Sequence, residues 1–215
     1  HGHIYEQTLM PIFELMVEPE KISFEDDICI ILKNFIRKTN SLSDIIFKVF
    51  PCLERVFQKN KQTFGDTLLD TINWYLIYGS ERIMQNRDLL IMLCRIAEQA
   101  LFSVEPTITT NNSEGAIFLQ IVFQIFQGSN VLDEYFVPVL DRVVERLKGS
   151  TQLPVKPVLK KHLLQVFLSA IMYNPGATVR YLHEKQLTKD VIVGLIEVKR
   201  EFRSQYERKL FILGL

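Results

Sequence analysis

Residues 138–143 read PVLDRV, and the same phrase occurs twice earlier, as PIFELM at residues 11–16 and as PCLERV at residues 51–56. Each copy is a proline, two apolar residues, an acid, a variable position and another apolar residue. The second copy follows the first by 40 residues, and the third follows by 87, close to two further periods. Self-similarity at ~40–47 residues, with two helices in each unit, is typical of HEAT and armadillo arrays. The sequence therefore predicts an all-α solenoid.

The prolines of this phrase allow two interpretations. A proline within a helix removes a backbone hydrogen bond and costs ~3 kcal/mol, so a recurring one indicates a recurring bend. The apolar pattern continues on both sides of Pro11, Pro51 and Pro138, and we therefore predict that each lies within an ordered helix. The alternative is that each proline begins a helix at its first turn, where it costs little.

Helical periodicity extends along the whole chain and predicts a single array of about five antiparallel helix pairs, with no sheet. We expect Gly79, Gly128, Gly149 and the Asn174-Pro175 step to end helices, and Thr188 to cap one. The predicted bounds of the pairs are 4–38, 43–79, 88–128, 132–174 and 177–203, and residues 206–215 are expected to start the next repeat.

The final stretch, RKLFILGL at residues 208–215, is strongly apolar. A terminal repeat needs a polar outer face, and this stretch lacks one. We therefore expect the chain to be a piece of a longer array, with an apolar edge or a covering segment at this end.

The bulk composition suits a soluble protein with a continuous hydrophobic core. Hydrophobic residues make up 47% and charged residues 23%, which excludes a disordered chain. The net charge is zero, so neither a nucleic acid nor an anionic membrane is expected as a partner. The longest apolar run, Ala116–Phe126, is too short to cross a bilayer, which needs ~20 residues. Three cysteines without paired spacing indicate a reducing compartment.

Catalytic and metal-binding patterns are missing from the sequence. It contains no nucleophile elbow, no phosphate-binding glycine loop and no paired histidine motif of a zinc enzyme. His183 is expected at a solvated helix end, His162 has no metal ligand at suitable spacing, and no biological metal role is expected of His1 and His3. We therefore expect no enzymatic activity and no cofactor.

One polar stripe is a candidate for binding a partner. Asp66, Asp70 and Asn73 follow one another at i, i+4 and i+7, while Leu68, Leu69, Ile72, Tyr75 and Leu76 are expected to face inward. The second helices of a solenoid line its concave surface, so this stripe is placed to receive a basic protein segment. The alternative is an ordinary solvated face.

A basic cluster near the end of the chain is a second candidate. It consists of Lys199, Arg200, Arg203, Arg208 and Lys209, a composition that suits phosphate contacts. Three glutamates alternate with these bases at i+3 and i+4 spacing, which instead favours ion pairs within the helix. They are Glu197, Glu201 and Glu207.

Two stretches carry a resemblance to a known family. SAIMYNP at residues 169–175 and RKLFILGL at 208–215 resemble landmarks of the importin-β (karyopherin) superfamily, most closely of the branch with importins seven and eight. In that family a helix ends in a Tyr-Asn-Pro step, and a basic-Lys-apolar helix ending in Leu-Gly-Leu follows. LLDT at residues 68–71 and the stretch 139–147 align as well. The resemblance covers nearly the whole chain and places it in the carboxyl-terminal half of a much longer receptor.

The resemblance implies a HEAT-repeat segment of a nuclear transport receptor. Such receptors carry protein cargo between cytoplasm and nucleus, make weak contacts with Phe-Gly nucleoporins, and exchange cargo on binding Ran-GTP. Their Ran-binding repeats lie mainly near the amino end, outside this segment. The alternative is a HEAT scaffold or adaptor of a protein complex without a transport role, which Ran-GTP would leave unaffected.

Overall fold

The structure is a computed structural model and describes residues 7–9, 11, 25–59, 65–102, 113–150 and 155–214. Within these residues the chain forms helices joined by short turns, with no strand, which confirms the all-α, solenoid-type fold. Two short 3-10 turns, Phe50–Cys52 and Lys199–Glu201, interrupt the α-helices. The α-helices are α1 (Glu25–Thr39), α2 (Asp44–Phe47), α3 (Leu53–Lys59), α4 (Gly65–Met84), α5 (Arg87–Phe102), α6 (Glu114–Ile125), α7 (Asp133–Lys148), α8 (Pro157–Tyr173), α9 (Pro175–Glu184), α10 (Thr188–Val198) and α11 (Gln205–Gly214).

The chain divides into two compact units, His1–Ile96 and Ala97–Leu215, and the division falls within α5. In the first unit α4 packs along α1 and also contacts α3. The Thr71 hydroxyl of α4 is hydrogen-bonded to the Cys29 carbonyl (3.0 Å). Seven residues further along α4, the Tyr78 hydroxyl donates to Asn40 Oδ1 (2.9 Å). Residue numbers rise in the same direction along both segments, from 29 to 40 and from 71 to 78, so α1 and α4 run parallel to each other.

In the second unit α8 is the central helix. Every residue from 163 to 170 is buried, and α8 contacts α6, α7, α9, α10 and α11. Such a helix, apolar on nearly all sides, is stable only when neighbours cover it on all sides. α6 and α11 both run in the same direction as α8, because contacts along each pair follow the same order as the residue numbers. α10 runs in the opposite direction.

Hydrogen bonds between separate helices reproduce the period seen in the sequence. The Gln120 amide of α6 donates to the His162 carbonyl of α8, 42 residues away. The Gln124 amide donates to the Ser169 hydroxyl, 45 residues away, and the Lys161 ammonium donates to Glu207, 46 residues away. Each contact therefore joins positions about one repeat apart, as stacking of successive helix pairs requires. The division into five pairs stays a prediction. Residues 206–215 were predicted to start the next repeat, and the helix found here, α11 (Gln205–Gly214), packs alongside α8.

Two of the helix ends predicted from the sequence are confirmed, one by a glycine with positive φ and one by an asparagine cap. Gly149 follows α7 in the left-handed region (φ 64°), where glycine is favoured. Asn174 ends α8 and caps α9, because its side chain accepts a hydrogen bond from the Ala177 amide (3.0 Å). Thr188, in contrast, is the first residue of α10 rather than its cap, which is Leu187.

The prediction that Gly79 ends a helix is wrong. α4 continues through it to Met84. A Cβ atom at this position would lie 2.7 Å from Leu42 Cδ2 and 3.3 Å from Phe47 Cε2. The glycine therefore allows close packing of other side chains against the middle of α4.

The prediction for the three prolines holds at one position and is wrong at another. Pro138 lies inside α7, as expected. Pro51 lies in the 3-10 turn between α2 and α3, because the Val49 and Cys52 amides donate to carbonyls three residues back (3.1 and 2.9 Å). At the first proline, residues 7–9 and Pro11 are helical, and residues 10 and 12–24 lie outside the described part of the chain.

Glycine at position 115 generates a testable prediction about packing. A Cβ atom there would lie 2.6 Å from the backbone nitrogen of Leu101 and 2.7 Å from the carbonyl carbon of Ala100. Backbone atoms cannot rotate away, so we expect Gly115→Ala to lower the free energy of unfolding by about 1–3 kcal/mol in urea titrations followed by circular dichroism. Gly176→Ala, at a helical site with no contact closer than 3.9 Å, is the matched control and should not destabilise. Equal stability of the two variants would contradict the close approach of α5 and α6.

Candidate functional site

The predicted polar stripe lies on α4, and its apolar neighbours face inward as expected. Leu68, Leu69, Ile72, Tyr75 and Leu76 are all buried. Asp70 and Asn73 lie on the opposite, partly exposed side of the helix. The side chain of Asp66 lies outside the described part of the structure.

Asp70 is not an isolated carboxylate. It accepts a hydrogen bond from the ammonium of Lys33 on α1 at 2.9 Å, in an ion pair whose side chains are 50% and 26% exposed, respectively. A basic partner segment that uses Asp70 would therefore compete with Lys33. Sequence reasoning missed this lysine because the two residues are 37 positions apart, and only the packing of α1 on α4 brings them together.

The same face of α4 carries groups that the sequence analysis did not select. Trp74 and Ile77 follow Asp70 at i+4 and i+7, and Ile77 is 52% exposed. The Trp74 ring stacks on Tyr78 with centroids 6.1 Å apart. Asn73 Oδ1 is buried without a hydrogen-bond donor. The face is thus mixed in character, with one neutralised acid beside an aromatic pair, and such surfaces suit amphipathic protein segments. Its role as a contact site stays a prediction.

Removing the Asp70 charge provides a test of what the ion pair contributes to folding. Exposed pairs of this kind contribute about 0–1 kcal/mol, so Asp70→Asn should lower the free energy of unfolding by less than about 1 kcal/mol. Glu81→Gln, an exposed acid further along α4, is the matched control. A larger loss in thermal denaturation of Asp70→Asn would show that the pair holds α1 and α4 together instead of serving mainly as a surface feature.

The basic cluster near the chain end has a different arrangement from the one predicted. Glu197 pairs with Lys160 of α8 (3.0 Å) and Glu207 pairs with Lys161 of α8 (2.7 Å). The expectation of ion pairs within the helix is therefore wrong for both glutamates, because their carboxylates pair with lysines of α8 instead. A local pair remains only between Arg203 and Glu201, at 3.9 Å, among the residues described here.

Glu207 is the most heavily bonded carboxylate of this region. It accepts hydrogen bonds from Lys161 and Gln165, and from the backbone amides of Arg203 and Ser204 (both 2.9 Å). Burial alone raises the pKa of Glu207, but the hydrogen bonds from Lys161 and the Ser204 amide outweigh it and lower the pKa to about 2. The charged form therefore links α8 to the start of α11.

This depressed pKa predicts a pH dependence of stability. A carboxylate whose pKa falls on folding stabilises the protein fully above its unfolded value of 4.5, and the contribution is lost as the pH falls toward 2. Urea titrations between pH 6 and pH 3 should show the wild type losing up to about 2 kcal/mol more than Glu207→Gln, after allowing for solvent screening. Identical pH slopes for the two proteins would mean that Glu207 is not charged and bonded as described.

The histidines and cysteines of the described residues occupy separate environments. The pKa of His162 is lowered by burial and by the Lys161 charge, so its imidazole is neutral at pH 7. His183 is exposed near the end of α9. Cys29 is buried, and Cys52 and Cys94 are half-buried. No group of three or more His, Cys, Asp or Glu within the described ranges is placed to hold a metal ion. In the same ranges, no helix has the length and apolarity required to span a bilayer.

Comparison with known proteins supplies one relative. The chain is 21% identical over 210 residues to a protein described as "Probable importin-7 homolog" from Dictyostelium discoideum. The match covers 97% of this chain and 19% of the relative, so the chain spans about a fifth of that protein's length. No family model and no solved structure matches the chain. The chain is thus distantly similar to an importin-like helical-repeat protein.

Proposed function

We propose that this chain is a HEAT-repeat segment of an importin-β-type nuclear transport receptor of the importin seven and eight branch. It carries protein cargo through the nuclear pore and shuttles between cytoplasm and nucleus. The observation that carries the proposal is the match along nearly the whole chain to the importin-7 homologue. The stacked helices with contacts one repeat apart support it, since arrays of this kind present extended surfaces for protein partners.

In this proposal the chain binds and does not catalyse. Cargo engages the partly exposed face of α4 around Asp70 and Asn73, with Asp66 continuing the stripe. Phe-Gly nucleoporins contact grooves between helices, where a phenylalanine ring can be buried at low cost. Ran-GTP acts through repeats outside these residues. Neither nucleic acid nor membrane is a direct partner, and no cofactor takes part.

A pull-down of the natural full-length protein tests the proposal. Immobilised Ran carrying a non-hydrolysable GTP analogue should retain the protein, and Ran-GDP should retain much less. Proteins that co-purify in the absence of Ran should be released by Ran-GTP, because a receptor binds its cargo and Ran-GTP with opposing preference. Equal retention by both forms of Ran would reject transport in favour of a scaffold or adaptor.

The α4 face is tested on the same co-purified proteins. Asp70→Lys should reduce recovery of basic cargo several-fold, whereas Glu81→Lys, the matched exposed acid on α4, should leave it unchanged. Circular dichroism of both variants controls for folding. Unchanged recovery with Asp70→Lys would remove this face from the cargo site while leaving the Ran result intact.

A further inference from the structure

Two buried polar atoms on α8 have no hydrogen-bond partner in the described part of the chain. They are Nδ1 of His162 and Oε1 of Gln165, and Gln165 is 0% exposed. The two residues are three positions apart, so their side chains lie one turn from each other on the same face of the helix. Buried polar groups are normally hydrogen-bonded, so a neighbouring pair without partners calls for an explanation.

The orientation of the Gln165 amide follows from its contact with α11. Its Nε2 donates to Glu207 Oε1 at 3.4 Å, and an ionised carboxylate can accept a hydrogen bond but cannot donate one. The hydrogen bond from Lys161 keeps Glu207 in this charged form. The oxygen of the Gln165 amide is therefore the atom left over, and it needs a donor other than Glu207.

His162 can supply this donor. Its side chain is within hydrogen-bonding reach of Gln165, and this contact raises the pKa of the imidazole. A neutral imidazole carries one hydrogen, on either Nδ1 or Nε2. With the hydrogen on Nδ1, a single bond to Gln165 Oε1 satisfies both buried atoms, whereas with the hydrogen on Nε2 both stay unpaired. The buried pair therefore favours the Nδ1–H form.

A second proton on this imidazole works against the fold. Burial and the adjacent Lys161 charge lower the pKa of His162, and they outweigh the opposing effects of Glu207 and Gln165. The pKa in the folded protein is thus below the ordinary value of 6.5. The neutral imidazole therefore contributes its full stability above pH 6.5, and this contribution is lost as the pH falls below that value.

The charged groups that act on His162 come from α8 and α11. They are Lys161 and Glu207, which are bonded to each other. α6 places the neutral Gln120 amide on the His162 carbonyl at 3.0 Å. Charged groups from the other neighbours of α8 are bonded elsewhere: Glu197 to Lys160, Asp133 to Tyr173, and Lys185 to Asp141. An imidazolium would therefore have to share Glu207 with Lys161.

We propose that His162 is an acid-sensitive latch that holds α11 on α8. At neutral pH its Nδ1–H fixes the Gln165 amide on Glu207, the carboxylate that anchors the start of α11. Uptake of a second proton places two positive charges, on His162 and Lys161, side by side at this contact. Release of α11 lets water reach both charges, and it also uncovers Leu168, on which α11 packs at its far end. The latch does not depend on the transport function proposed above.

Nuclear magnetic resonance of the histidine rings tests the position of the proton. In the nitrogen-15-labelled chain of 215 residues at pH 7.5, the His162 signals are identified by their loss in His162→Gln. Nδ1 should show the chemical shift of a protonated ring nitrogen, and Nε2 that of an unprotonated one. Gln165→Met removes the acceptor and should abolish this preference. An Nε2–H ring in the wild type would overturn the proposal.

Hydrogen exchange followed by mass spectrometry tests the latch itself. Between pH 7.5 and pH 5.5, after correction for intrinsic exchange rates, the protection of the α11 amides should fall about threefold or more in the wild type. Glu207 stays charged over this range, since its pKa is about 2. His162→Gln is the matched control, because its amide can still donate to Gln165 but takes up no proton. Its α11 protection should change less than about twofold.

Three results of the exchange experiment would overturn the latch. An equal loss of α11 protection in His162→Gln would assign the pH dependence to another group. An equal loss in α4, which belongs to the other compact unit, would show destabilisation of the whole chain instead of release of one helix. Unchanged α11 protection in the wild type would show that the imidazole titrates without moving the helix.

Discussion

The constraint on which this structure depends is that no helix pair can bury its own apolar surface. α8 shows it most clearly, because its buried stretch needs α6 on one side and α11 on another. Non-directional apolar contact does not fix how far one helix slides along the next, so polar side chains set that register. Gln120 on the His162 carbonyl and Lys161 on Glu207 each fix a neighbour one repeat away. Misplacement by one turn would leave buried polar groups unpaired, which costs more than the bonds themselves contribute.

The acid of the repeated phrase has a role of the same kind. In the second copy Glu54 lies 3.7 Å from Arg95 on α5. In the third copy Asp141 accepts from Lys185 (2.8 Å) and from the Tyr181 hydroxyl of α9 (2.9 Å). The hydrogen bond from Lys185 lowers the pKa of Asp141, which favours the charged carboxylate. Each of these two acids thus bonds to residues that follow it in the sequence by about one period. An acid at this position connects successive repeats, which is a physical reason for its recurrence in the phrase.

Features governed by local chemistry could be predicted from the sequence, and features governed by distant neighbours could not. Gly149 and Asn174 act on their own helix ends, so residue type and periodicity were sufficient to identify them. The need for glycine at position 79 comes from the close approach of Leu42 and Phe47. The spacing of residues within α4 does not reveal that contact. The candidate site shows the same limit: the inward and outward sides of α4 were predicted correctly, but the lysine that neutralises Asp70 was not.

The two described copies of the phrase differ in structure although their local sequences are alike, so the difference arises from packing. Before Pro51, the Ile46 carbonyl accepts from the Val49 amide and also from the buried Tyr75 hydroxyl at 2.9 Å. The Phe50 ring stacks on Tyr75 with centroids 4.9 Å apart. Tyr75 therefore contacts both the Ile46 carbonyl and the Phe50 ring, which precede the proline. Pro51 itself has no amide hydrogen to donate in this turn. A tighter 3-10 turn satisfies these contacts together. The proline permits the break, and a tyrosine on α4 determines where it occurs.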